Sequence, residues 1–178
     1  MRYILLLTTL IAFACNAGTS EQTAASVNDT IAVAVTDSSS MPTPDSTLPI
    51  KIVAFAKTLI GTPYHFGCMA PSTGFDCSGL ISYVFNHFNI TVPRSSAGFT
   101  NEGRQIKLED TQPGDLVLFT GTKSKKKTVG HIGIIVANDG TGISFIHSSS
   151  GDEMHVMITK LNDHYMARFV KIIRYVDK

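Results

Sequence analysis

At Pro113-Gly114-Asp115 the apolar pattern of this chain changes period, and that change limits the folds open to it. Upstream, Ile50, Val53, Ala56 and Ile60 follow a helical spacing. Pro49 suits the first turn and Gly61 a stop, which predicts a helix over 50–60. Leu80, Ile81, Val84, Phe85 and Phe88 form the buried stripe of a second helix, with Asp76 as its N-cap. A short helix over 94–103 would end at Gly103. Downstream, Leu116-Val117-Leu118-Phe119 and the runs 131–137, 143–147, 154–159 and 169–176 read as four or five strands. Asn138-Asp139-Gly140 between two of them is a hairpin signal. Helices first and antiparallel strands after predict an α+β domain, with the second helix packed on a small curved sheet.

The chain has 178 residues, enough for one domain with a proper core plus extensions. A formal charge of +1 supplies no field that would favour nucleic acid, so no nucleic-acid partner is expected. Met1-Arg2 followed by an apolar run over 4–13 has the layout of a secretory signal, too short to span a bilayer comfortably. Cys15 directly after Ala14 suggests lipidation, although Ala12-Phe13-Ala14 also satisfies an ordinary A-x-A cleavage site. The expected organisation is a signal peptide over 1–14, then a lipid-anchor cysteine and Ser/Thr/Pro-rich linker over 15–48, then a catalytic domain over 49–178. Such a chain is expected to be exported to the cell envelope, facing the periplasm, and held to its membrane if Cys15 is lipidated. A monomer is expected.

Cys77 falls at the first turn of the second helix, where unpaired N–H groups and the helix dipole favour thiolate, so its thiol is expected to titrate below a free cysteine. His131 opens a strand of the sheet against which that helix would pack, so a nucleophile and a base can meet from distant parts of the chain. His147, near the end of the next strand, would lie behind His131 and orient its ring. A disulfide between Cys68 and Cys77 is the competing use of these thiols.

The segment Gly61-Thr62-Pro63-Tyr64 through Gly67, followed by Gly74-Phe75-Asp76-Cys77-Ser78-Gly79-Leu80, resembles the nucleophile region of the NlpC family of papain-like cell-wall cysteine peptidases. Val92-Pro93-Arg94-Ser95-Ser96, Pro113 to Phe119, Gly130-His131-Ile132-Gly133-Ile134 and Phe145-Ile146-His147-Ser148-Ser149 resemble later blocks of that family in the same order. The resemblance implies a papain-like fold with Cys77 as nucleophile, His131 as general base and acid, and His147 as the third, orienting residue. It implies that the Tyr64 hydroxyl helps the oxyanion hole, and that Asp76, Ser78, Arg94 and Ser95 contact substrate. The implied reaction is hydrolysis of peptidoglycan stem peptides at the γ-D-glutamyl to diaminopimelate bond, with no cofactor. Related domains act as amidases or acyltransferases, and a wall-binding lipoprotein without activity is a further alternative.

Two positions depart from the family pattern. His65-Phe66-Gly67-Cys68 stands where an aromatic Trp and two glycines are usual. Cys68 is read as a small buried residue or a redox partner of Cys77, and His65 as a cleft or solvated loop residue. Lys123, Lys125, Lys126 and Lys127 precede His131 as either a basic rim for stem carboxylates or a solvated turn. His87, His155 and His164 show no metal-ligand spacing, so no metal site is expected.

Overall fold

The computed structural model describes residues 47–122 and 128–176. The expected signal peptide, Cys15, nearly all of the linker and the lysine run before His131 lie outside the described residues. No helix among the described residues is long and apolar enough to cross a membrane.

The first helix, α1 (Leu48–Lys57), begins with Pro in its first turn and buries Ile52, Val53 and Ala56. A hairpin of two-residue strands follows, β1 (Met69–Ala70) and β2 (Gly74–Phe75). Helix α2 (Cys77–His87) starts at Asp76, whose side chain accepts from the Gly79 N–H as an N-cap. The segment expected to hold a short helix is a 3₁₀ turn over Ser96–Asn101, capped by Ser95. It leads to β3 (Arg104–Ile106), β4 (Leu116–Thr120), β5 (Val129–Asn138), β6 (Ile143–Ser148), β7 (Val156–Lys160), the short helix α3 (Asp163–Met166) and β8 (Phe169–Arg174).

The main sheet has six strands in the order β3-β8-β4-β5-β6-β7, all pairs antiparallel. Strand β3 is the member beyond the expected four or five. Leu80, Ile81, Val84 and Phe85 of α2 are fully buried in one cluster with Leu116, Leu118, Ile132, Ile134 and Ile146 of the sheet. Burial of each such side chain is worth roughly 1.5–3 kcal/mol, which fixes α2 on this face. The alternate positions Val117, Phe119, Ile135, Phe145 and Ile172 form a second cluster, covered in part by Leu161, Tyr165 and Phe169. The sheet is therefore buried on both faces, and the second face carries the histidines.

Candidate active site

Cys77 occupies the first position of α2 and is buried. Its surroundings are set by the carboxylate of Asp76, which accepts from Gly79 N–H at 2.6 Å, Ser78 Oγ at 3.1 Å and Gly67 N–H at 2.9 Å. Arg94 closes the arrangement with a bidentate pair, Nη1 to Oδ1 at 3.0 Å and Nη2 to Oδ2 at 2.8 Å. Burial alone would raise the Asp76 pKa, but the Arg94 and Gly79 donors outweigh it and hold the carboxyl below its usual range. Gly79 is required for the same packing. A Cβ there would lie 2.1 Å from the Cys68 carbonyl oxygen, which accepts the Asp76 N–H.

Asp76, Ser78, Arg94 and Ser95 line a cavity of about 520 Å³ together with Cys77, Tyr64, Phe66 and Ser96. The polar groups of the first three are engaged with one another, and Ser95 caps the 3₁₀ turn. Tyr64 is half-buried, and its hydroxyl interacts with the Ser150 side chain. Cys68 is half-buried and, like Cys77, a free thiol, so the two form no disulfide. His65 is exposed and its Nδ1 faces the Thr73 carbonyl.

The Cys77 sulfur lies 3.3 Å from Ser96 Oγ, and the backbone N–H groups of Ser78 and Ile132 favour its thiolate form. Cys77 lines one cavity with Val129 and Gly130, the two residues of β5 that precede His131. Among the described residues no hydrogen bond joins the sulfur to the His131 ring. Burial pushes the Cys77 thiol above its ordinary value, and Asp76 adds to this, while Ser96 and the two N–H groups only partly offset it. The expectation of a lowered pKa is thereby reversed: the helix terminus acts in the anticipated direction, but desolvation of the sulfur is the larger effect.

His131 pairs with Phe119 across β4 and β5, and its ring lies with those of Phe119, His147 and Tyr165. His131 Nε2 is 3.0 Å from His147 Nδ1, the two rings perpendicular. His147 is fully buried and its Nε2 lies 2.9 Å from Thr159 Oγ1, with the Tyr165 hydroxyl at 3.5 Å. Gly133 makes room for this approach. A Cβ on Gly133 would stand 2.6 Å from Phe145 Cδ2 and 3.3 Å from His147 Cβ.

Both histidines are held neutral. Burial, then His147, then Arg168 push His131 well below its ordinary value, and burial followed by Arg168 lowers His147 to about 4. Four residues of this constellation escaped the sequence reading: Ser96, Thr159, Tyr165 and Arg168. Thr159 was findable, since β6 and β7 pair Phe145 with Thr159 and so set Thr159 on the His147 face. Ser96 stood in the block with Arg94, but only the fold turns it toward the sulfur.

A helix seated by its apolar stripe on an antiparallel sheet, with its N-terminus at the end of a central strand, is the α+β arrangement of papain-like domains. The NlpC/P60 family model matches residues 61–175, and the chain belongs to that family. It is 36% identical over 133 residues to the "Gamma-DL-glutamyl hydrolase" of Bacillus subtilis, covering 74% of this chain and 30% of that protein. It is 40% identical over 115 residues to the "Probable peptidoglycan endopeptidase LytE" of the same species, covering 65% and 30%. Among solved structures, a "similar to lipoprotein, NLP/P60 family" protein of Staphylococcus aureus aligns with a TM-score of 0.64 at 28% identity, covering 80% of this chain and 46% of that one. The chain thus spans about 30% of the length of these two curated relatives.

Proposed function

We propose that the described domain is a cysteine peptidase that hydrolyses peptidoglycan stem peptides at the γ-D-glutamyl to diaminopimelate bond. The observation that carries the reading is the His131–His147 hydrogen bond at 3.0 Å on strand β5, whose preceding residues Val129 and Gly130 line one cavity with Cys77. The relatives named as a γ-DL-glutamyl hydrolase and a peptidoglycan endopeptidase support the same substrate class.

In this reading Cys77 attacks the γ-carbonyl while His131 takes its proton. Burial raises the Cys77 thiol and lowers His131, and in this mechanism the proton passes from sulfur to imidazole as the sulfur attacks. The imidazolium formed on His131 needs an acceptor at Nε2, and the neutral His147 supplies Nδ1. His147 then carries its own proton on Nε2, directed at Thr159 Oγ1. His131 Nδ1 is left as the base. The tetrahedral oxyanion is held by the Cys77 backbone N–H and the Tyr64 hydroxyl. His131 next protonates the departing amine as the C–N bond breaks, then removes a proton from water, which releases the acyl group and restores the thiol.

The test is mass spectrometry of purified wall and of free stem peptides after digestion, with the Cys77→Ala protein as blank. New amino termini at diaminopimelate are expected. Products cut between the sugar and L-alanine would replace this reading by an amidase, and no products would remove it.

The same proposal covers the chain's delivery: export by residues 1–14, lipidation of Cys15 and tethering of the domain over 49–178 through the Ser- and Thr-rich segment between. Labelled fatty acid on the mature chain would support it, and a soluble unlabelled product would select cleavage after Ala14 without an anchor.

A further inference from the structure

His147 and Ser148 are consecutive on β6 and so face opposite sides of the sheet. His147 lies with Phe145 and Tyr165 on one side, and Ser148 turns with Ile146 toward α2 on the other. Ser148 is fully buried, and its hydroxyl donates to the Phe75 carbonyl at 2.7 Å. Phe75 ends β2, Asp76 caps α2 and Cys77 opens it. One buried hydrogen bond thus joins the neighbour of His147 to the carbonyl two residues before Cys77, over 73 positions of sequence.

The apolar stripe of α2 holds the helix against the sheet, but burial of this kind is non-directional and does not itself specify where along the strands the helix begins. A hydroxyl-to-carbonyl bond is directional, and its two oxygens must meet within a few tenths of an ångström. The Phe75 carbonyl also accepts the His65 N–H at 3.1 Å, so it keeps a partner whether or not Ser148 bonds to it. The Ser148 bond is therefore not needed to satisfy a buried polar group, and its contribution is one of placement.

We propose that Ser148 is a positioning residue for the peptidase reaction, its hydroxyl fixing the entry of α2, and with it Cys77, relative to the strand whose His147 holds the His131 ring. The proposal rests on the peptidase reading above and deepens it. Nucleophile and base come from distant parts of the chain, and a misplacement of about 1 Å between them costs on the order of a hundredfold in rate. Ser148 ties the two supports together while touching neither substrate nor reacting atoms. Ser82 on α2 supplies the contrast, since its buried Oγ has no hydrogen-bond partner among the described residues.

The test is steady-state cleavage of the tripeptide L-Ala-γ-D-Glu-meso-diaminopimelate by the wild type and by Ser148→Ala, His147→Ala and the double variant, with Ser82→Ala as control. Ser148→Ala is expected to lose about tenfold in kcat with KM held within about twofold. Ser82→Ala, which removes a hydroxyl that bonds to nothing, should keep both constants within about twofold. In the His147→Ala background the Ser148 substitution should cost less than about twofold, because the ring that the bond aligns with Cys77 has already lost its support. Wild-type kinetics in Ser148→Ala would overturn the positioning role and leave the peptidase intact. An equal loss in both backgrounds, or a Ser148→Ala protein that does not fold, would overturn it as well by showing that the bond serves stability. No cleavage of the tripeptide by the wild-type protein would remove the peptidase reading itself.

Discussion

The Cys77 sulfur and the Ser96 hydroxyl face one another at 3.3 Å in a buried pocket, and that contact opposes the rise of the thiol pKa caused by burial. Alkylation of Cys77 by iodoacetamide should therefore titrate above the ordinary cysteine value, and Ser96→Ala should move the midpoint higher still. A midpoint below that of free cysteine would mean that the helix terminus outweighs burial and that a thiolate is present at rest.

Cys77→Ala should abolish hydrolysis and leave the thermal transition within a few degrees of wild type, since in the proposed mechanism the sulfur is a reagent more than packing. Cys68→Ala is the matched control and should keep most activity. Loss of turnover in the Cys68 variant alone would transfer the nucleophile to that residue.

In the proposed mechanism His147 orients and does not react, so its removal should lower turnover without ending it. His147→Ala is expected to cost on the order of tenfold to a thousandfold in kcat, with His147→Asn or His147→Gln recovering part of this because an amide can accept from His131. Thr159→Val should act in the same direction by a smaller factor, as it frees the His147 tautomer. Unchanged kinetics in His147→Ala would assign the orienting role elsewhere.

Stability should fall with acid in a window set by the histidines. The unfolded chain binds a proton on His147 near pH 6.5, while the folded chain refuses it until about 4. The stabilisation is complete above the unfolded value and lost as pH falls between the two, on the order of 3 kcal/mol for this residue. His131 adds to the loss in the same direction. Asp76, whose carboxyl is lowered, acts only below the ordinary carboxylate range. Urea unfolding from pH 7 to 4.5 would measure the slope, and His147→Gln should flatten it; equal slopes in both proteins would contradict the buried neutral imidazole.

The long periodic elements were legible in the sequence. Helix α2, with its cap at Asp76, and strands β4 to β6 carry enough turns or alternations to declare themselves, and so the helix-on-sheet architecture followed. The two-residue strands β1 and β2, the three-residue β3 and the four-residue α3 hold no full period, and their pairing comes from the tertiary fold. The site divides along the same line. Cys77, His131 and His147 sit on periodic elements, and an imidazole or thiol at an element end reveals its chemistry by type. Thr159 and Arg168 are ordinary residues until the register of β7 and the Thr120 carbonyl bring them to the histidines. The direction of the Cys77 shift was misjudged because a helix N-terminus is visible in a sequence and desolvation is not.

Gly133 lies where a Cβ would press on the Phe145 ring, the Ile146 carbonyl and the base of His147, and it contributes no side-chain atom to the site. Mutational scanning normally subtracts contacts, so a residue's importance is measured by what vanishes with its side chain. At this position the arithmetic runs backwards: alanine is the intrusion, a single methyl group pressed into the Phe145 ring, the Ile146 carbonyl and the base of His147. Part of what shapes the histidine site is thus an emptiness inherited from the backbone, which no inventory of functional side chains would include.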